Sequence, residues 1–100
     1  LPRLATLFIA LTMTLIPEAI GYLAATLTTC SFLPQAILTL KTRDTEALSL
    51  GMYSLFTSGV FLWLIYGLYL SNMAIILANA VTFLLAATIL SFKIVHTLRR

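Results

Sequence analysis

Apolar residues fill three long stretches of the chain, and short polar segments separate these stretches. The first covers about residues 18–40 and ends at the polar segment 41–46, which contains both basic and acidic residues. The second covers about 47–70 and the third about 73–95, with only the uncharged dipeptide Ser71-Asn72 between them. Each stretch has the ~20 residues that an α-helix needs to cross the hydrocarbon core of a bilayer. The pattern therefore predicts an all-α membrane protein, built as a three-transmembrane-helix bundle.

Residues 1–16 are apolar, but they do not fit this scheme directly. Only about a dozen apolar residues separate Arg3 from Pro17, which is too few for a separate span. Three interpretations stay open: residues 1–16 extend the first helix outward, lie along the membrane interface, or include residues upstream of a native start at Met13. No small-residue cleavage site typical of a signal peptide follows them. We predict an N-terminal extension over 1–16 and one three-helix domain over 17–100, with Pro17 at the first position of its first helix.

Composition supports a membrane protein. Hydrophobic residues make up 61% of the chain and charged residues only 9%, with a mean hydropathy of +1.07. Soluble domains carry about 25% charged residues. These 100 residues leave no room for a soluble domain beside three spans, and the single cysteine cannot form an internal disulfide. We therefore expect the lipid bilayer to be the surrounding partner, and we expect no nucleic-acid partner despite the net charge of +3.

The basic residues indicate the orientation. After two crossings of the membrane, the third stretch returns to the side of the 41–46 segment. The cationic residues of that side are Lys41, Arg43, Lys93, Arg99 and Arg100. The Ser71-Asn72 dipeptide on the other side carries no charge, and only Arg3 opposes the trend. The positive-inside rule predicts an external N-terminus and a cytoplasmic C-terminus.

Trp63 and Asn79 stand out inside the second and third stretches. Trp63 lies about eight residues before the Ser71-Asn72 dipeptide and Asn79 about seven after it, so a rise of ~1.5 Å per residue places both roughly 10–12 Å below the same membrane surface. An indole covers an apolar face, and an amide donates and accepts hydrogen bonds. We predict that the two side chains belong to one binding site.

Polar, small or aromatic residues also recur at helical spacing on each stretch. In the first they are Ala24, Thr28, Ser31 and Gln35; in the second, Phe56, Gly59, Trp63 and Tyr66; in the third, Asn79, Thr82 or Phe83, and Ala86. Small residues and hydroxyls also serve simple helix packing in membranes. Because all three stretches carry such a face, we expect the faces to surround a common interior.

Pro34 lies inside the first stretch, near the 41–46 segment. An internal proline removes one backbone hydrogen bond and kinks the helix, and the freed carbonyl needs a new partner. Ser31 or Gln35 is the expected source of that partner. The kink either shapes the packing only or serves as a hinge for the part of the helix beyond it. Both interpretations stay open at this point.

The ordered motifs of the chain resemble those of the bacterial SemiSWEET sugar transporters, of the PQ-loop and SWEET superfamily. The motifs are Pro34-Gln35, Lys41-Thr42-Arg43, Leu48-Ser49, Trp63-Leu64-Ile65-Tyr66-Gly67 and Asn79. The resemblance covers residues 18–92. It implies a parallel homodimer in the bacterial inner membrane, with sugar bound between the protomers.

The resemblance also implies roles for individual residues. Trp63 and Asn79 match the substrate-binding residues and Tyr66 an outer-gate tyrosine. Phe56 lies where a cytoplasmic constriction is expected, and Pro34-Gln35 matches the hinge motif. One departure is that Leu70, Ser71 and Asn72 are uncharged, whereas relatives can carry charged outer-gate residues there.

The predicted function is facilitative, bidirectional transport of a small sugar, a mono- or disaccharide, by alternating access. Coupled transporters keep ionisable groups inside the membrane, whereas Glu18, Asp44 and Glu46 all fall at the ends of spans. One alternative is a small proton-coupled multidrug or cation exporter, for which Glu18 is the only candidate carboxylate. Another is a non-transporting membrane subunit. We expect no enzyme, cofactor or metal site, because the chain shows no nucleophile–base pair and no cluster of metal ligands.

Overall fold

The computed structural model describes residues 2–99. Leu1 and Arg100 lie outside the described residues, and so does the contribution of Arg100 to the predicted charge asymmetry. The described residues form the helices α1 (Pro2–Thr42), α2 (Leu50–Leu70) and α3 (Met73–Leu98), and contain no strand. All three helices are long and apolar enough to cross a membrane. The prediction of an all-α, three-transmembrane-helix protein is confirmed.

The predicted start of the first helix at Pro17 is wrong. Helix α1 begins at Pro2 and passes through both Pro17 and Pro34. A proline removes the bond to the carbonyl four residues back, but the leucine, isoleucine and alanine residues on both sides favour the helix strongly enough to continue it. At 41 residues, α1 is about 60 Å long, roughly twice the thickness of the hydrocarbon core. Residues 2–16 are therefore a helical continuation of the first span, with exposed side chains.

The other two helices differ from the predicted spans by three residues each, α2 at its start and α3 at its end. Helix α2 begins at Leu50 rather than near residue 47, because the Ser49 hydroxyl accepts a hydrogen bond from the Met52 N–H and caps the helix. The preceding residues form a turn closed by the Leu48 N–H and the Thr45 carbonyl, 3.1 Å apart. Helix α3 continues to Leu98 rather than ending near residue 95.

Helix α3 lies between α1 and α2. It packs against both, whereas no Cα atom of α1 comes within 8 Å of one in α2 over the described part of the chain. The buried core sits along α3 and joins residues from all three helices: Ala36, Tyr53, Ala86 and Ile89. We call the end of the bundle at Ser71-Asn72 the hairpin end, and the end at residues 43–49 the loop end.

The hairpin between α2 and α3 is tight and satisfies its own backbone groups. Ser71 adopts a left-handed conformation (φ 52°), and the Asn72 N–H donates to the Gly67 carbonyl at 3.0 Å. The Asn72 side chain then accepts from the Ile75 N–H at 3.2 Å and caps α3. This turn brings the start of α3 directly against Gly67. A Cβ atom at Gly67 would lie 2.7 Å from Ile75 Cγ2 and 3.2 Å from the Ile76 nitrogen.

We therefore expect Gly67→Ala to destabilise the protein by about 1–3 kcal/mol, the usual cost of overpacking a close contact. The Ile75 Cγ2 methyl group belongs to a β-branched side chain with little rotamer freedom, and the Ile76 nitrogen belongs to the backbone. Neither atom moves aside without shifting α3. Gly51→Ala is the matched control, because its Cβ would meet nothing closer than Ser49 Oγ at 3.9 Å. Unfolding in detergent, followed by circular dichroism, measures both. Equal stability of the two variants would contradict the close approach.

Candidate functional site

A cleft of about 270 Å³ opens between α1 and α2 and has α3 as its floor. Its lining residues are Gly21, Ala24, Ala25, Thr28, Trp63, Ala74, Ile75, Ala78 and Asn79. Helix α3 lies between the other two helices, so the cleft above α3 stays open only because the side chains of α1 and α3 that face it are mostly short. Gly21 and Ala74 illustrate this, since a Cβ at Gly21 would already touch the Ala74 methyl group at 3.6 Å. The cleft lies in the half of the bundle near the hairpin end.

The structure brings Trp63 and Asn79 to this one cleft, from the second and third helices. Ala24 and Thr28 of the predicted α1 face also line it, whereas Ser31 and Gln35 do not. The Thr28 hydroxyl donates to the Ala24 carbonyl at 3.0 Å, so its oxygen keeps a free lone pair. The cleft thus combines one indole, one amide and one hydroxyl with otherwise apolar walls.

Trp63 is the large surface of the site. Its side chain is 55% exposed, and its ring meets that of Tyr66 edge to face, with centroids 5.6 Å apart. Trp63 also borders a neighbouring groove of about 370 Å³, formed by Gly59, Leu62 and Tyr66 on the same helix. No Cβ partner lies within 4 Å of Gly59, so the space on the loop-end side of the indole is open. Of the predicted face of Phe56, Gly59, Trp63 and Tyr66, the last three line this groove and Phe56 does not.

Asn79 is half-buried and already uses one amide hydrogen inside its own helix. Its Nδ2 donates to the Ile75 carbonyl at 2.9 Å, which fixes the orientation of the amide. Within the described residues, Oδ1 and the second N–H have no partner. The sequence identified Asn79 but did not indicate this backbone bond. The amide therefore offers mainly one acceptor and one donor to the cleft.

Phe56 lies outside the cleft, towards the loop end. Its ring packs against Phe32 of α1 at 6.0 Å and against Tyr53 at 5.9 Å between centroids. This is an aromatic contact between α1 and α2, whose backbones stay apart. Sequence reasoning did not identify Phe32 and Tyr53, because their meeting depends on how α3 spaces the outer helices.

Pro34 and Gln35 also lie outside the cleft, on an exposed side of α1. Ser31 does not compensate for the proline as expected: its Oγ donates to the Thr28 carbonyl at 2.8 Å, rather than to the carbonyl that Pro34 frees. The Gln35 side chain has no hydrogen-bond partner within residues 2–99. The structure places the two residues together, but it leaves them away from Trp63 and Asn79.

Among residues 2–99, no ionisable side chain lines the cleft. Glu18 lies one helical turn beyond Gly21, which faces the first turn of α3, so its carboxylate is at the hairpin-end boundary of the bundle. Residues 2–99 hold no group of three or more His, Cys, Asp or Glu side chains that could bind a metal ion. The lining residues offer a stacking surface and hydrogen-bonding groups, which suit a neutral molecule.

Comparisons with known proteins point to one family. The sequence profile of the PQ loop repeat matches residues 16–76. A sugar transporter SemiSWEET from Leptospira biflexa is 48% identical over 75 residues, which are 75% of this chain and 88% of that protein. A SemiSWEET from Bradyrhizobium diazoefficiens is 49% identical over 77 residues, 77% of this chain and 90% of that protein. A third, from Escherichia coli, is 43% identical over 76 residues, 76% and 85% of the two chains.

Solved structures give the same picture. A crystal structure of SemiSWEET in the inward-open conformation superposes with a TM-score of 0.79 at 39% identity, over 85% of this chain and 99% of that one. A crystal structure of a bacterial homologue of SWEET transporters gives a TM-score of 0.67 at 33% identity, over 79% of this chain and 95% of that one. The resemblance noted in the motifs is confirmed.

Proposed function

Because the chain belongs to the PQ loop repeat family, we propose that it transports a small sugar, a mono- or disaccharide, passively and in both directions across a membrane. The observation that carries the proposal is the cleft in which Trp63 and Asn79 meet, lined by no ionisable side chain from the described part of the chain. The three bacterial relatives, which this chain matches over most of their length, are named as sugar transporters. Their names support the same substrate class. Their names also favour the prediction that this chain is not an enzyme.

The chemistry of the cleft suits a sugar. A sugar ring has an apolar C–H face and an edge rich in hydroxyl groups. The exposed Trp63 indole covers the first, and the free Asn79 Oδ1 and N–H bind the second. A neutral ligand of this kind needs no counter-charge in the membrane. Trp63 and Asn79 are therefore the proposed substrate-binding residues.

One protomer does not close the site, because the cleft has walls on α1 and α2, a floor on α3 and no fourth side. Trp63 is 55% and Tyr66 51% exposed in the single chain, and both lie on that open side. We propose that a second copy, parallel and related by a two-fold axis along the membrane normal, supplies the missing wall. A homodimer would place two indoles and two amides around one sugar.

Alternating access then needs a gate on each side of the site. Tyr66 lies one turn from Trp63 towards the hairpin end and is the proposed outer gate. The rings of Phe32, Tyr53 and Phe56, which we call the Phe56 cluster, lie towards the loop end and are the proposed inner constriction, with Pro34-Gln35 as its hinge. We propose that the hairpin end faces outward and the loop end the cytoplasm, in the bacterial inner membrane, because the basic residues gather at the loop end.

The direct test of this function is uptake of radiolabelled monosaccharides and disaccharides into liposomes that contain the purified protein. We expect saturable uptake of at least one sugar, and counterflow of labelled sugar when unlabelled sugar is loaded inside. Empty liposomes and the Trp63→Ala variant are the controls. Uptake no faster than that of empty liposomes, from folded protein and across both sugar classes, would refute the proposal.

We further expect that an imposed proton gradient neither accelerates uptake nor drives sugar above equilibrium. The reason is that no carboxylate within residues 2–99 lines the cleft, and Glu18 lies at the hairpin-end boundary of the bundle. The same vesicles, with an inside-alkaline or inside-acidic lumen, measure the effect. Accumulation that follows the gradient would contradict facilitation and favour the exporter-like alternative. Glu18→Gln would then show whether Glu18 is the coupling carboxylate.

A further inference from the structure

The connection between α1 and α2 crosses the loop end of α3. It has to do so because α3 lies between the two helices that the connection joins. Helix α1 ends when Arg43 adopts a left-handed conformation (φ 54°), with its N–H bonded to the Thr39 carbonyl at 2.8 Å. The chain then turns across the last turns of α3. The contacts made there are separate from the proposed sugar site.

Three contacts tie the connection to α3. The Lys93 ammonium donates to the Thr45 carbonyl at 2.9 Å, and the Thr45 hydroxyl is hydrogen-bonded to His96 Nδ1 at 2.7 Å. The Arg43 guanidinium lies over the Phe92 ring, 5.6 Å from its centroid. We call these five residues the loop clasp. Arg43 and Thr45 come from the connection, and their three partners lie on one face of α3. The contacts therefore fix the position of the connection.

Two residues of the loop clasp, Thr45 and Lys93, are buried, whereas Arg43 is exposed. Thr45 is 1% and Lys93 6% exposed, and Lys93 is the one charged side chain that is buried within residues 2–99. Burial of an ammonium group is costly unless hydrogen bonds compensate it. The Thr45 carbonyl accepts from Lys93 and also from the Leu48 N–H at 3.1 Å. Lys93 therefore holds the loop through the Thr45 carbonyl. If Lys93 is replaced, this carbonyl still accepts the hydrogen bond from the Leu48 N–H.

We propose that the loop clasp is a latch that holds residues 35–42 against α3 in the inward-open state and is released when the inner gate closes. These residues lie between Pro34 and Thr45. If Pro34 is the hinge, the segment cannot swing away from α3 while Thr45 stays on Lys93. The clasped structure superposes with a TM-score of 0.79 on a SemiSWEET chain crystallised inward-open, and this similarity favours the inward-open state for the clasp. This proposal rests on the alternating access proposed above, and it makes Lys93 and Thr45 positioning residues for the inner gate.

The test measures from which side the cleft is accessible, in the absence of sugar. In a Cys30→Ala background, Thr28→Cys places a reporter thiol in the cleft. A membrane-impermeant maleimide is applied to inside-out and right-side-out vesicles, and the ratio of the two labelling rates reports the balance of states. Lys93→Met removes the donor but keeps the length of the side chain. We expect it to shift the ratio about tenfold towards access from the hairpin end, as for the loss of one charge-assisted hydrogen bond.

Two further variants make the result specific. Thr45→Val removes only the hydroxyl bond to His96, so it should shift the ratio in the same direction by a smaller factor. Lys41→Met removes an exposed charge from the same end of α1 and should leave the ratio unchanged.

An unchanged ratio in folded Lys93→Met and Thr45→Val would overturn the latch, and so would an equal loss of labelling from both sides. If Lys93→Met does not fold, an unchanged ratio in Thr45→Val overturns the proposal by itself. Because no sugar is used, a failure of the protein to carry sugar would be recognised separately in the uptake assay.

Discussion

Trp63→Ala is expected to abolish most sugar uptake while the protein still folds and inserts. The indole is the largest surface of the cleft and is more than half exposed in the protomer, so its removal takes away the stacking surface without opening a core cavity. Loss of a buried aromatic contact with the ligand corresponds to about 1.5–3 kcal/mol, or roughly 10- to 150-fold in affinity, for each protomer. Initial uptake rates and sugar affinity in liposomes measure the effect.

Phe61→Ala is the matched control. Phe61 lies two residues earlier on α2, is exposed to a similar extent, and packs on Phe83 at 5.4 Å, away from the cleft. We expect it to leave uptake near the wild-type rate. Asn79→Ala should resemble Trp63→Ala, because it removes the free acceptor and donor of the site. Wild-type uptake by folded Trp63→Ala or Asn79→Ala protein would show that the sugar binds elsewhere.

Pro34→Ala is expected to slow uptake about tenfold or more, since alanine in place of proline stabilises a helix interior by up to about 3 kcal/mol. The variant restores the N–H that can donate to the Cys30 carbonyl, and so it stiffens α1 between the cleft and the Phe56 cluster. Binding should survive, because Pro34 does not line the cleft. Uptake rate and equilibrium binding, measured on the same preparation, separate the two effects.

The chain has its own control for this experiment. Pro17 is also inside α1, but it lies beyond the hairpin-end boundary of the bundle, where no inner gate is expected. We expect Pro17→Ala to leave the uptake rate unchanged. Wild-type uptake by Pro34→Ala would mean that the proline is a static kink, and equal slowing by both variants would mean that straightening α1 anywhere impairs the protein.

The fold was predictable because hydrophobic length alone identifies membrane spans. The error at Pro17 has a physical origin: proline is favoured at the first position of a helix, but it is also tolerated in the interior when strong helix formers surround it. The start of α2 at Leu50 could have been predicted, since Ser49 is a typical capping residue directly before an apolar run.

The site was predictable in part. Trp63 and Asn79 could be paired from depth alone, because a two-residue hairpin fixes how far each lies from the same surface. The floor of the cleft and the Phe32 contact with Phe56 could not, since both depend on α3 lying between α1 and α2. From the sequence, Lys93 indicated only the topology. Its burial against Thr45 depends on the connection crossing α3, and so on the position of α3 between the other two helices.

The position of α3 between the other helices also determines the order of assembly. Helix α1 is synthesised first, but it finds no backbone partner in α2, the next helix to enter the membrane. Helices α2 and α3 are joined by a two-residue turn, so little loop-closure entropy opposes their pairing. We therefore expect the α2–α3 hairpin to pair first, with α1 surrounded by lipid until α3 has been made. The helix that is synthesised first would then be the last to dock.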